Sequence, residues 1–158
     1  MTNKTGLGEL LERGGIHYSL PGDAVYKVMD KLIGIAPVPE TVTAKDLFRA
    51  VMEREALMST GIGNGIATPH PRNPVITRPE DQFAALAFLE QGVDWRALDN
   101  IPVDTVFLIV SASAQFHLKI LSEVSFFCRQ DEFKKLLTER AAGEEIIGYI
   151  KNTEKEWE

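Results

Sequence analysis

The sequence predicts an α/β fold: a single domain over residues 1–158, with a mixed β-sheet flanked by helices. The run from Val103 to Val110 is almost continuously apolar, as a strand covered on both faces requires. The stretch after Ser113 repeats Phe116, Ile120, Val124 and Phe127 every three or four positions, the period of an amphipathic helix. Strand-like and helix-like stretches of these two kinds fill the chain without an internal repeat or a linker-like break.

In chain order, Leu7 to Arg13 reads as a short helix or turn stopped by Gly14-Gly15, and Ile16 to Leu20 as a short strand. From Gly22 to Ile33, the residues Ala24, Val25, Val28, Met29, Leu32 and Ile33 fall at helical spacing. Ile35 to Thr41, with Pro37 and Pro39, is a connector. A second helix starts at Thr43, a residue type suited to an N-cap, and carries Leu47, Phe48, Val51, Met52 and Leu57. A glycine-rich stretch then leads into β-type runs at Ile66–Thr68, Phe83–Leu89 and Val103–Val110. The long helix behind Ser113, two more over Asp131–Arg140 and Gly143–Ile150, and a charged tail complete the chain.

A chain of 158 residues, 44% hydrophobic and 25% charged, buries an ordinary core and carries no signature of disorder. Its one cysteine, Cys128, excludes an intramolecular disulfide and suits a reducing compartment. No run approaches the roughly 20 apolar residues that span a bilayer, and Met1–Gly6 lacks the apolar core of a signal peptide. The expectation is a cytoplasmic protein without direct membrane insertion. A formal net charge of −6 disfavours nucleic acid and favours a basic protein partner by speeding encounter.

The most informative segment is Ser59-Thr60-Gly61-Ile62-Gly63-Asn64-Gly65-Ile66-Ala67-Thr68-Pro69-His70. Pro69 and Pro71 fix φ on both sides of His70, and Pro71 also keeps it out of the helical region. An imidazole stiffened in this way is presented in a fixed direction. On local pattern alone, an incidental histidine in a Gly-Pro-rich loop is an equal reading. His117 falls one turn into the long helix, at the margin of an apolar stripe, where spacing alone makes it a boundary residue. His17, beside Tyr18 in a strand, reads as structural.

The segment Arg54–His70 resembles the active-site signature of the IIA component of the bacterial phosphoenolpyruvate phosphotransferase system, in its fructose/mannitol/nitrogen-regulatory class. The likeness continues through Gly92-Val93-Asp94-Trp95, Pro102–Ile109 and His117-Leu118-Lys119-Ile120-Leu121. The resemblance implies that His70 accepts a phosphoryl group from a small phosphocarrier protein. It also implies that His117 stands close to His70 in space and that Arg54 helps position the phosphoryl group. Ser59, Thr60, Gly61, Gly63 and Gly65 are then candidates for supporting its oxygens, since glycine lets backbone N–H groups approach closely.

The chemistry fits these residue types. Neutral imidazole is nucleophilic near pH 7 when its other nitrogen is held by an acceptor, and phosphoryl transfer asks mainly for positioning and charge stabilisation. A helix N-terminus is expected to lower the pKa of His117, because its dipole disfavours imidazolium. Arg72 is an additional basic candidate, equally readable as an exposed surface residue.

Other chemistries fail on specifics. Gly61-x-Gly63 is followed by a β-type run rather than a helix, and no Gly-Lys-Ser/Thr follows, so neither dinucleotide nor P-loop binding is indicated. No zinc spacing and no Gly-x-Ser-x-Gly occur, and neither metal nor cofactor is called for. Glu53 and Glu55 lie two apart on a helix and face different ways. Two departures from the family pattern stand out: Asn100 where a glycine is common, and the proline-rich Pro71-Arg72-Asn73-Pro74.

Transport-type relatives are often fused to membrane domains and cysteine-bearing IIB domains, so a bare domain fits the nitrogen-regulatory branch, in which phosphorylation alters binding to target proteins. A sugar-uptake IIA passing its phosphoryl group to a IIB domain is the alternative. A pure interaction module is a third reading, against which the joint presence of His70, His117 and Arg54 argues.

Overall fold

The eight residues Val103–Val110 do form a central strand, and the sheet is built outward from it. The computed structural model describes residues 5–157; the Met1–Lys4 stretch read above for a signal peptide, and Glu158, lie outside the described residues. In chain order the elements are α1 (Leu7–Gly14), β1 (Ile16–Leu20), α2 (Val25–Ile35), α3 (Ala44–Leu57), β2 (Gly61–Gly63) and β3 (Ile66–Ala67). After them come β4 (Phe83–Val93), β5 (Val103–Val110), α4 (Ala114–Cys128), α5 (Asp131–Thr138) and α6 (Gly143–Lys155). The strands lie in the order β1-β4-β5-β3-β2. β1 and β4 are parallel, as are β3 and β5, whereas β4 with β5 and β2 with β3 are antiparallel.

Both faces of the sheet are buried, which explains why β4 and β5 are apolar at nearly every position. Ala85, Ala87 and Leu89 of β4 and Val106, Leu108 and Val110 of β5 join Val28, Leu32, Leu47 and Val51 of α2 and α3 in one core. The intervening Ala84, Leu86, Phe88, Phe107 and Ile109 pack into a second core with residues of α1, α4, α5 and α6. Strand periodicity thus sends alternate residues to opposite layers. Gly14 allows α1 to lie on β4: a Cβ there would stand 2.0 Å from the Ala84 carbonyl oxygen.

Local chemistry sets the helix starts. Thr43 Oγ1 accepts from Asp46 N at 3.0 Å, and Ser113 Oγ from Phe116 N at 3.1 Å, so each satisfies an N–H that the first turn leaves without a helical partner. Apart from shifts of one or two residues at the ends of α1, β3 and α5, the elements differ from the sequence reading in four places. The glycine-rich stretch is a β-hairpin, β2–β3, turned by Asn64 at φ 57° and Gly65 at φ 80°. β4 runs four residues past Leu89, through polar, exposed residues that hide its period. Helix α2 is shifted late, ending at Ile35. Part of the expected charged tail is helical: α6 continues to Lys155, its end packed by Trp157 against Phe126 and Phe127 at ring distances of 5.3 and 5.7 Å. Among the described residues no helix is long and apolar enough to cross a membrane.

Candidate active site

β3 sets the position of His70. It runs parallel to β5, with Ile66 opposite Thr105 and Ala67 opposite Val106. The chain stays beside β5 past the strand end, where Ile109 N donates to Pro69 O at 3.1 Å. His70 follows at once, 8% exposed, its Nδ1 2.7 Å from Thr68 O. A carbonyl oxygen only accepts, so Nδ1 carries the hydrogen and Nε2 keeps its lone pair. Burial lowers the pKa of His70 most and the charge of Arg54 lowers it further, against opposing effects of the Thr68 hydrogen bond and of Glu55.

The first turn of α4 brings His117 to the same place. Its amide donates to Ser113 O at 3.0 Å, and its ring lies 4.4 Å from that of His70, centroid to centroid, tilted by 45°. His117 Nε2 is buried with no hydrogen-bond partner among the described residues. Its pKa is lowered to about 4, as expected in direction. The cause differs from the helix dipole invoked above: burial comes first, then His70 and Arg54. Two neutral imidazoles therefore face each other at neutral pH.

Arg54 lies in the last turn of α3, where Nη1 donates to Met58 O at 2.7 Å, and its charge is felt by both histidines. Glu55, set aside by the sequence reading, turns out to organise the approach to the site. Its two oxygens accept from Thr60 N at 2.7 Å and Thr60 Oγ1 at 2.6 Å. Thr60 O in turn accepts from Thr68 N at 3.0 Å, and Thr68 O holds His70. Only the fold shows this chain, because it joins a helix end to both strands of a hairpin. Ser59 Oγ donates to Trp95 O at 2.5 Å and accepts from Gly61 N at 3.0 Å, so the Gly61 amide is already engaged.

Gly61, Gly63 and Gly65 each pack closely against a neighbouring segment. A Cβ at Gly61 would stand 2.8 Å from Ala97 Cβ, one at Gly63 3.2 Å from Asp99 Oδ2, and one at Gly65 3.1 Å from Asp104 Oδ1. Asn100 adopts φ 58°, a left-handed conformation that glycine and asparagine both tolerate, which accounts for its standing in a glycine position. His17 bonds Gly14 O at 3.0 Å through Nε2, away from these groups. Among the described residues no cluster of three or more His, Cys, Asp or Glu has the grouping to hold a metal ion.

A family model described as phosphoenolpyruvate-dependent sugar phosphotransferase system, EIIA 2, matches residues 23–153. The chain is 32% identical over 123 residues to the nitrogen regulatory protein of Pseudomonas aeruginosa, covering 75% of this chain and 77% of that one. It is 29% identical over 150 residues to the fructose-specific EIIABC component of Bacillus subtilis, covering 93% of this chain but 23% of that protein's length. Among solved structures, the nitrogen regulatory protein IIA-Ntr from Neisseria meningitidis matches with a TM-score of 0.77 at 24% identity, covering 90% of this chain and 97% of that one. IIA mannitol from Escherichia coli matches with a TM-score of 0.63 at 16% identity, covering 85% and 94%. At these identities the two structures speak to the fold.

Proposed function

Since this chain belongs to the phosphoenolpyruvate-dependent sugar phosphotransferase system EIIA 2 family, we propose that it carries a phosphoryl group on His70 Nε2. The observation that carries the assignment is the 2.7 Å contact of Nδ1 with Thr68 O. It holds the ring in the tautomer that leaves Nε2 nucleophilic. A neutral ring at pH 7 follows from burial. In the proposed step a phosphoryl group arrives from a small phosphocarrier protein. Its bond to the donor breaks as the bond from phosphorus to Nε2 forms, while the proton stays on Nδ1, donated to the Thr68 carbonyl oxygen.

Arg54 supplies positive charge to the transferring oxygens, and His117 Nε2, without a partner among the described residues, offers them an N–H. Ser59, Thr60 and Glu55 hold the hairpin that bears His70 rather than touching the phosphoryl group. Gly61, Gly63 and Gly65 shape that hairpin.

The likeness to the nitrogen regulatory protein of Pseudomonas aeruginosa supports a regulatory role, in which the phosphorylation state of His70 decides which target proteins bind in the cytoplasm. A phosphoryl group adds roughly two negative charges and several strong acceptor oxygens, enough to break or create an interface. The likeness to the fructose-specific EIIABC component favours a second reading, with the group passed on to a IIB domain.

Label transfer from phosphoenolpyruvate through enzyme I and the small carrier tests the acceptor. Wild type takes up acid-labile, base-stable label and His70→Ala takes up none. Full labelling of His70→Ala, or acid-stable label, contradicts the assignment. Affinity capture with wild type, His70→Ala and His70→Asp then separates the two roles. Different partner sets support regulation; identical sets, with loss of growth on one sugar in a deletion strain, favour uptake.

A further inference from the structure

His117 also lines a cavity of about 220 Å³ whose other lining residues have no part in the phosphoryl transfer proposed above. One wall is the Pro71-Arg72-Asn73-Pro74 segment, one of the two places where the sequence departs from the family pattern. The opposite walls are the end of β5, through Ile109 and Ser111, and the first turn of α4, through Ala114, His117 and Leu118.

Three observations point to a ligand there. Ser111 is 6% exposed, and its Oγ is buried with no hydrogen-bond partner among the described residues, an arrangement that costs stability unless something accepts its hydrogen. Arg72, on the rim, makes no ion pair or hydrogen bond among the described residues, so its guanidinium is a free cation. Helix α4, fifteen residues long, points its N-terminus into the same space, and its dipole favours negative charge. The remaining lining, with Pro71, Pro74, Ile109 and Leu118, is apolar and larger than a bare inorganic anion fills.

We propose that this cavity binds a small carboxylate with a short apolar body. The carboxylate accepts from Ser111 Oγ and pairs with Arg72, and the hydrocarbon part lies between the prolines and Leu118. His117 is the wall shared with the phosphoryl site. If the reading of His70 above holds, a phosphoryl group on it therefore weakens carboxylate binding by charge repulsion, and the bound carboxylate disfavours phosphorylation equally.

The test uses the unmodified protein, so that it stands or falls apart from phosphoryl transfer. Butyrate, inorganic phosphate and 1-butanol are titrated into ¹⁵N-labelled protein and backbone amides are followed by NMR. Butyrate is expected to give saturable shifts at residues 72, 73 and 111–118. Ser111→Ala and Arg72→Gln each weaken its binding at least tenfold, with the fold checked by unchanged spectra elsewhere, and butanol gives no saturable shift. Three results would overturn the proposal: no saturable butyrate shift, butyrate binding unchanged in both variants, or phosphate binding more tightly than butyrate.

Discussion

Helix α4 carries one member of each of two pairs of like ionisable groups. His117 lies against His70, and Glu123, two turns further on, is hydrogen-bonded to Glu154 of α6. Burial favours the neutral form of three of these groups: it lowers the pKa of each imidazole, and it raises that of Glu154 to about 7, helped by the hydrogen bond and charge of Glu123. The pairs differ in how their polar atoms are used. Glu123 accepts from Leu7 N at 3.1 Å and Glu154 from Gly8 N at 3.4 Å, so the carboxyls satisfy the first amides of α1. Lys119 lies 3.4 Å from Glu123 and donates to Thr5 O at 2.6 Å. His117 Nε2, by contrast, has no hydrogen-bond partner among the described residues. Burial alone does not mark a reactive pair; a hydrogen-bonding atom left unused beside a nucleophile does.

The largest expected effect separates the pairs by rate. Arg54→Ala and His117→Ala should each slow phosphoryl transfer to His70 by on the order of a hundred- to thousandfold, the cost of losing one preorganised donor. Arg54→Lys should recover only part of the rate, because a point charge lacks the two-pronged guanidinium. Glu154→Gln should leave the rate within about twofold of wild type, being far from any proposed donor. Rapid-quench label transfer measures all four, and a Glu154→Gln rate as low as that of His117→Ala would erase the distinction.

A smaller effect appears in stability against pH, where the pairs act in opposite directions. Folded His70 and His117 resist protonation, so below about pH 6.5 the unfolded chain binds more protons and stability falls as pH drops toward 4. Folded Glu154 holds a proton that the unfolded chain has lost above about pH 4.5, so its contribution falls as pH rises toward 7. Between about pH 4.5 and 6.5 the two slopes oppose each other. Glu154→Gln should make Tm climb more steeply with pH across that window, and His117→Gln should flatten or reverse the climb. Each slope stays well short of the limit of about 1.4 kcal/mol per pH unit for one fully buried proton, because both groups are partly solvated. Parallel melting curves for the two variants would refute the opposition.

The smallest effect is local. A Cβ at Gly6 would lie 1.8 Å from Glu154 Oε2, so Gly6→Ala must displace that flexible carboxyl. The expected cost is about 1 kcal/mol, the net worth of one hydrogen bond, with the pH signature of Glu154→Gln and normal phosphoryl transfer. Chemical denaturation at several pH values measures it.

How much of this was legible in the sequence depended on how local the cause is. Thr43 and Ser113 cap the helices expected to follow them, because capping is decided within four residues. β5 has the bounds its apolar run predicted. The proximity of His70 and His117 was implied by the family resemblance; neither spacing nor periodicity contains it. The Glu55–Thr60–Thr68 chain and the Glu123–Glu154 pair were illegible, since each joins elements whose meeting is decided only by packing. The pKa of His117 was anticipated in direction but credited to the helix dipole, because the depth to which the first turn is buried is a tertiary property. The glycines were read as candidates for an oxygen cradle, whereas Gly65 answers to the left-handed turn of a hairpin that the strand pattern was too short to announce.

The central claim is that the Thr68 carbonyl fixes the tautomer of His70 and so selects Nε2 as the nucleophile. It is tested most directly by ¹⁵N-detected NMR of the histidine rings before and after phosphorylation. Free His70 is expected to be neutral at pH 7 with its hydrogen on Nδ1, and phosphorylation to produce a phosphorus–nitrogen coupling to Nε2. A coupling to Nδ1, or a free ring protonated on Nε2 alone, would contradict it.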